Sequence, residues 1–92
     1  SCTRSGAAIA RAVEKEGIPV AFITAMSSMA KQLKVNRIVT GTKIPYPCGD
    51  PTLPADADLM LRRAIIQSCL TALITAVDRP TVFAPEISVT SG

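Results

Sequence analysis

The stretch that decides the fold is residues 1–24, SCTRSGAAIARAVEKEGIPVAFIT, in which an amphipathic segment runs directly into an apolar one. The first part predicts a helix over about residues 3–16, because apolar side chains recur at helical spacing. Its inner stripe consists of Ala7, Ile9, Ala10 and Val13, and its outward residues are Arg11, Glu14 and Lys15. Gly17 ends this helix, and the continuous apolar run 19–24 predicts a strand buried on both faces of a parallel sheet.

The rest of the chain continues the alternation of helices and strands. We predict a short helix over 25–34, an edge-like strand over 35–39, a loop over 43–54 with four prolines, a long helix over 55 to about 77, and a strand-like tail over 81–92. This order predicts a layered α/β fold with a small parallel sheet, forming one small segment over 1–92 of a larger protein. Because two strands do not make a stable sheet, either the tail or another chain or domain completes it.

The long helix carries apolar residues over most of its circumference. One stripe consists of Leu59, Ile66, Leu70, Leu73 and Val77, and a second stripe that widens it consists of Leu61, Ile65 and Cys69. A helix that is apolar on most sides is covered by other parts of a protein. We therefore expect most of this helix to be buried.

Composition argues against several classes of function. The net charge of +3 comes from scattered cations, and the chain has three aromatic residues, whereas nucleic-acid binders combine a dense basic face with stacking aromatics. The longest uncharged run, residues 64–77, is too short to span a bilayer. We expect no nucleic-acid partner and no membrane partner.

The number of cysteines and the absence of histidine argue against a disulfide framework and against a metal site. The three cysteines, Cys2, Cys48 and Cys69, are odd in number and far apart, which is not the pattern of a disulfide framework. The chain contains no histidine and no closely spaced pair of cysteines, so we expect no metal site. Reduced cysteines are typical of a cytoplasmic protein.

Cys2 is the leading candidate for chemistry. It lies in the first turn of the predicted first helix, where unpaired N–H groups and the helix dipole favour an anion such as a thiolate. Ser5 lies one turn further along and is a second candidate, although a helix-turn or capping role explains it more simply. An incidental thiol near a chain terminus is the alternative interpretation of Cys2.

Asn36 and Arg37 are the candidates for substrate binding. At one end of a strand they would bind a carboxylate, with the arginine forming a bidentate pair. The alternative is a structural bridge to a neighbouring part of the protein. Asp50 in Gly-Asp-Pro is more typical of a turn than of a catalytic acid, and Cys69 lies among apolar residues that indicate core.

An ordered series of short motifs resembles a known family. The series reads Cys2-Thr-Arg-x-Gly-Ala, Glu14-x-x-Gly-Ile-Pro-Val, Asn36-Arg-Ile-Val, Ile44-Pro-x-Pro-x-Gly-Asp-Pro, Leu61-Arg-Arg and Thr81-Val-Phe. It is similar to the C-terminal segment of the selenoprotein B subunit of the glycine/sarcosine/betaine reductases. The similarity runs over about residues 1–84.

The resemblance implies reductive cleavage of a C–N bond in a small amine or amino acid. Activation of the amine would come from a pyruvoyl group on a different subunit, a selenolate would attack the α-carbon, and a carrier selenoprotein would receive the carboxymethyl group. It implies no cofactor in this chain itself and a selenocysteine upstream of Ser1. The implied partners are the N-terminal portion of the same subunit, the pyruvoyl-bearing subunit and the carrier, together a hetero-oligomer.

Three positions depart from the family pattern. In the family the selenocysteine is followed by two cysteines at three-residue intervals; Cys2 matches the first of these, and Ser5 stands where the second would be. Tyr46 stands where the family loop tends to have histidine, and Cys48 where an apolar residue is usual. These departures leave open a non-catalytic structural or interaction subunit, and a small domain that binds an anion at its first helix is a third alternative.

Overall fold

A computed structural model describes residues 2–42 and 48–85, and of Cys2 it describes the backbone but not the side chain. The elements follow in the order α1 (Cys2–Lys15), β1 (Phe22–Thr24), α2 (Ser27–Gln32), β2 (Arg37–Thr40), α3 (Ala55–Ile74) and β3 (Thr81–Phe83). The three strands form a parallel sheet in the order β1-β2-β3. The predicted layered α/β fold with a small parallel sheet is therefore confirmed.

The helices lie on both faces of the sheet. Because successive side chains of a strand point to opposite faces, Ile38 and Val39 mark the two sides of β2. Ile38 packs with alanines of α1 and α2, whereas Val39 packs with Leu61 and Ile65 of α3. The strands β1, β2 and β3 lie side by side in chain order. The connection from β1 to β2 runs through α2 on one face, and the connection from β2 to β3 runs through α3 on the other. These two crossover connections therefore have opposite handedness, and one of them is left-handed, which is rare.

The centre of the core is β2 and the segment that precedes it. The largest fully buried side chains of the core are Ile38, Val35 and Val39 from this part of the chain and Ile65 from α3. Full burial of each such aliphatic side chain contributes about 1.5–3 kcal/mol. The prediction that this strand lies at the edge of the sheet is wrong, because Thr81–Phe83 pairs with it on the side opposite β1. The start of the tail thus supplies the third strand.

The apolar run 19–24 contains β1, which is one of the two edge strands of the described sheet. Within this run, only Thr24 is buried, and Phe22 and Ile23 are partly covered. Both β1 and β3 have one side without a partner strand within 2–42 and 48–85, so the described sheet is open and compatible with completion by another chain or domain.

The direction of the helices defines two ends of the sheet. Glu14, near the end of α1, lies beside Val20, two residues before β1, and Arg37 at the start of β2 contacts the end of α3. We call this the amino end. Thr3 at the start of α1 lies beside Thr24 at the end of β1, and we call that the carboxyl end.

Four predicted details of the helices are wrong. Ile9 is exposed rather than part of the inner stripe of α1, and Glu14 is largely buried rather than outward. The third helix ends at Ile74 rather than near Val77, because Thr75 has extended backbone angles. Most of α3 is not covered either: Leu59, Ile66 and Leu70 are about half exposed.

Candidate functional site at two ends of the sheet

The first turn of α1 is anchored to the carboxyl end of β1. The hydroxyl groups of Thr3 and Thr24 lie 3.4 Å apart, and the Thr3 hydroxyl donates to the sulfur of Met26 at 3.7 Å. The Thr24 hydroxyl in turn accepts a hydrogen bond from the Met26 backbone N–H at 2.9 Å. These contacts tie the start of the helix to the strand end, and they place the backbone of Cys2 there.

Gly6 allows α1 to approach β1 closely. A Cβ atom at Gly6 would lie 2.6 Å from Cε1 of Phe22, a distance that real side chains do not adopt. The absence of a side chain therefore lets the aromatic ring pack directly under the first turns of the helix. This contact sets the height of the turn that carries Cys2 and Ser5 above the sheet.

The turn at 49–52 reaches the same end of the sheet. The Thr42 hydroxyl donates to the Gly49 carbonyl oxygen at 2.7 Å, and the Asp50 N–H donates to Oδ1 of Asp58 at 2.7 Å. Asp50 also accepts hydrogen bonds from the N–H and hydroxyl of Thr52, which is the turn role expected for it. The start of α3 is thereby joined to the chain that follows β2.

The carboxyl end is the usual location of ligand sites in open parallel α/β sheets, because loops and helix N-termini converge there. Cys2 is the first residue of α1, so its position meets this condition, and Ser5 is exposed on the next turn. The Cys2 thiol and Tyr46 lie outside the described residues. Cys48 is exposed. Cys69 lies on α3, is partly buried and packs against the core between this helix and the sheet.

At the amino end, Glu14 is the acceptor for three donors. It accepts the Val20 backbone N–H at 2.8 Å, the Asn36 side-chain amide at 3.1 Å, and two bonds from Nη1 of Arg37 at 2.8 and 2.9 Å. The side chains of Arg37 and Glu14 are 13% and 11% exposed. A charge pair this far removed from water is maintained only with well-made hydrogen bonds.

The remaining donors of Arg37 bind the end of α3. Its Nε donates to the Ala72 carbonyl oxygen at 2.7 Å, and Nη2 donates to the Thr75 carbonyl oxygen at 3.0 Å. Carbonyl groups at a helix C-terminus lack partners within the helix, and a cation there is favoured by the helix dipole. Arg37 therefore connects α1, β2 and α3 through one guanidinium group.

This network shifts the titration of Glu14. Partial burial by itself raises the pKa of a carboxyl group, but here the hydrogen bonds from Val20, Asn36 and Arg37, together with the charge of Arg37, outweigh burial. They hold the pKa of Glu14 below its ordinary value. The carboxylate is therefore ionised in the folded chain at neutral pH and is a poor general acid.

The structure does not bring the four predicted site residues together. Cys2 and Glu14 are twelve residues apart on one helix, about 18 Å at 1.5 Å per residue, and Asn36 and Arg37 lie beside Glu14. Four N–H donors of Arg37 bind groups of the chain itself, which favours the structural bridge. Binding of a carboxylate by Asn36 and Arg37 stays a prediction, as do the roles of Cys2 and Ser5.

Sequence reasoning missed the role of Glu14. Helical periodicity predicts that Glu14 lies on the outer face of α1. Its place in the Glu14-x-x-Gly-Ile-Pro-Val motif is the signal in the sequence that could have indicated a specific role. Within residues 2–42 and 48–85, no group of three or more Cys, Asp or Glu side chains is arranged to hold a metal ion. In the same part of the chain, every helix is too short or too polar to cross a bilayer.

Comparison with known proteins identifies relatives that are much longer. The chain is 43% identical over 83 residues to the glycine reductase complex component B subunit gamma of Carboxydothermus hydrogenoformans, which covers 90% of this chain and 19% of that protein. It is 42% identical over 83 residues to the sarcosine reductase complex component B subunit beta of Peptoclostridium acidaminophilum. The betaine reductase complex component B subunit beta of the same organism is 32% identical over 87 residues, with 20% of its length covered.

No family model matches the chain, and no solved structure matches it. The chain spans about a fifth of the length of the curated relatives it matches. The resemblance found in the motifs of the sequence is confirmed by these relatives. Over the residues that match, the chain is homologous to the C-terminal segment of the component B subunits of the glycine, sarcosine and betaine reductase complexes.

Proposed function

We propose that this chain forms the C-terminal part of a component B subunit in a reductase complex that cleaves the C–N bond of a small amine or amino acid. The names of the relatives support a place in such a complex. The single observation that carries a catalytic role is the position of Cys2, which begins α1 at the carboxyl end of the sheet. A complex of several different subunits in the cytoplasm is part of the proposal.

In this proposal the first turn of α1 positions a chalcogen nucleophile. The N–H groups of that turn stabilise a thiolate at Cys2, or a selenolate just before it, and so raise the fraction of the reactive anion at neutral pH. A pyruvoyl group on a partner subunit would supply electrophilic activation of the amine. The role of this chain is to hold the nucleophile where the α-carbon can be attacked and the amine displaced.

Ser5 limits what the chain does by itself. A second cysteine one helical turn after Cys2 would resolve a selenide–sulfide or disulfide bond, and a serine hydroxyl does not exchange with either. In the proposal, regeneration of the anion therefore depends on a thiol outside this turn. Ser5 itself has the simpler role of an exposed residue of the turn.

A second candidate function is a structural or interaction subunit that has kept the fold and lost the chemistry. The observation that favours it is the amino-end network, in which Asn36 and Arg37, the predicted substrate-binding residues, bind Glu14 and α3 instead. In that case the chain contributes packing surface to a complex, and Cys2 is an ordinary thiol.

The two candidates are distinguished by the Cys2 thiol. Its reactivity toward iodoacetamide, followed by mass spectrometry from pH 4 to pH 10, gives its pKa, and Cys48 in the same chain is the internal reference. The catalytic role predicts a pKa well below about 8.5, the value of a free thiol, and loss of amine-reductase turnover of the assembled complex in Cys2→Ser. An ordinary pKa with turnover unchanged in Cys2→Ser would exclude it. Ser5→Ala is the matched control, and we expect it to retain turnover.

A further inference from the structure

The outer side of α3 is apolar and exposed. We define its outer stripe as Leu59, Met60, Ile66, Leu70 and Ile74. These five account for most of the large exposed apolar side chains in the described part of the chain, and Ile74 is 86% exposed. Solvent-exposed faces of helices normally carry charged and polar residues, so a stripe of this kind marks an interaction surface.

The stripe is not a continuation of the core of this segment. The residues of α3 that pack on the sheet are Leu61, Ile65 and Ala72, whose positions lie on the opposite side of the helix from Leu70. A shallow depression of about 370 Å³ lies along the outer side, lined by Arg62, Arg63, Ile66 and Gln67. The outer side thus combines large apolar side chains with the exposed Arg63 and Gln67, which lie among them around the helix.

We infer that the outer stripe of α3 packs against the portion of the reductase subunit that precedes this segment in the relatives. The match covers 19% of the relative from Carboxydothermus hydrogenoformans, so the other 81% of that subunit lies outside it. This inference rests on the proposed membership in a component B subunit. The inference further specifies that the outer stripe is the interface. The surface that covers it would be apolar and would carry an acidic group near Arg63.

A second copy of the same chain fits this surface less well. A symmetric pair uses the same patch on both partners, and it would bring Arg62 and Arg63 of each chain into one contact. Arg62 already pairs with Asp58 of its own helix at 2.9 Å, so that carboxylate is not available to neutralise a neighbour's arginine. Like charges in a desolvated contact oppose association.

The test is a comparison of cysteine accessibility in two states of the full 92-residue chain. Leu70→Cys on the outer stripe and Ala8→Cys on the exposed face of α1 are each labelled with N-ethylmaleimide and read by mass spectrometry. The chain is measured alone and with the preceding portion of the Carboxydothermus hydrogenoformans relative, supplied as a separate polypeptide that ends where the match begins. We expect labelling at position 70 to slow at least tenfold in the mixture and labelling at position 8 to stay unchanged.

Two results would overturn the inference. Equal labelling rates at position 70 with and without the preceding portion would show that the stripe is not its contact. Protection of position 70 in the chain alone, increasing with its own concentration, would assign the stripe to self-association. Ile66→Asp provides a second variant: we expect it to abolish the protection at position 70 while circular dichroism shows unchanged helix content. Because labelling measures contact and not turnover, failure here is distinguishable from failure of the proposed catalytic role.

Discussion

The two ends of the sheet hold different kinds of interaction. At the amino end, Glu14 and Arg37 form a nearly dry ion pair whose donors are used within the chain. At the carboxyl end, Thr3 and Thr24 make longer contacts between hydroxyl groups, and the first turn of α1 carries Cys2. The difference indicates that the amino end stabilises the packing of three elements, whereas the carboxyl end holds the N-terminus of α1, where the proposed function places the nucleophile. Four experiments test this division.

The largest effect is expected from Arg37→Met. This change leaves the Glu14 carboxylate buried without its cation and leaves the last carbonyl groups of α3 without their donor. Breaking a buried pair in this way costs about 3–5 kcal/mol. We expect a loss of that size in the free energy of unfolding, measured by urea denaturation of the full chain.

The control for Arg37 is another arginine in an ion pair. Arg79 pairs with Asp78 at 3.3 Å, and both side chains are about four-fifths exposed. Arg79→Met should therefore change the unfolding free energy by less than about 0.5 kcal/mol. A similar loss in both variants would mean that the amino-end network has no special structural role.

The next largest effect is expected from Gly6→Ala. The new methyl group would lie 2.6 Å from the Phe22 ring, so the helix or the ring must shift. Overpacking of this kind costs about 1–3 kcal/mol, partly offset by the higher helix propensity of alanine. Thermal unfolding measures the net change, and the Phe22→Leu background, where the clash is reduced, should recover most of the loss. No recovery in that background would argue against close packing of α1 on β1.

Acid should weaken the network at the amino end. The pKa of Glu14 is lowered in the folded chain from an ordinary value of 4.5, so its contribution to stability is fully present above about pH 4.5. That contribution is lost as the pH falls through the folded pKa, by about 1.4 kcal/mol for each unit of lowering. Unfolding measured from pH 7 to pH 2 should show a shallower loss of stability in Glu14→Gln. An identical slope in both chains would contradict this.

The smallest effect concerns the two described thiols. Burial chiefly, and the nearby Cys48 thiol in addition, raise the pKa of Cys69, whereas Cys48 is exposed. At pH 8 we expect iodoacetamide to modify Cys48 several-fold faster than Cys69, read peptide by peptide by mass spectrometry. In 6 M urea the two rates should converge, because burial is then removed. Persistence of the difference in urea would locate its cause in local sequence rather than in the fold.

Local sequence predicted the elements better than their places in the sheet. Residues 2–15 and 55–74 are helical, close to the predicted ranges, because apolar spacing and the positions of Gly17 and Pro54 act over a few residues. Whether a short apolar run lies at the centre or the edge of a sheet depends on partners remote in sequence. The pattern of 35–39 is typical of an edge strand, but pairing with 81–83 on one side and with β1 on the other places β2 at the centre of the described sheet.

The same distinction applies to the candidate site. Local sequence sufficed to predict that Cys2 and Ser5 lie in the first turns of a helix, whereas their roles stay predictions. The joining of Glu14, Asn36 and Arg37 required α1, β2 and α3 to meet, and periodicity placed Glu14 on the wrong face. Tertiary structure also separated the candidates into two groups at opposite ends of the sheet.

By itself, the sequence determined the class of fold, the helices and the family, because these follow from periodicity, helix caps and ordered motifs. Tertiary structure alone decided the order of the strands, the buried pair of Glu14 and Arg37, and the exposure of the outer stripe of α3. The physical reason is that an apolar helix face looks the same in sequence whether its own domain covers it or a neighbour does. Only the packing of α3 on the sheet through Leu61, Ile65 and Ala72 shows which face of the helix is left exposed.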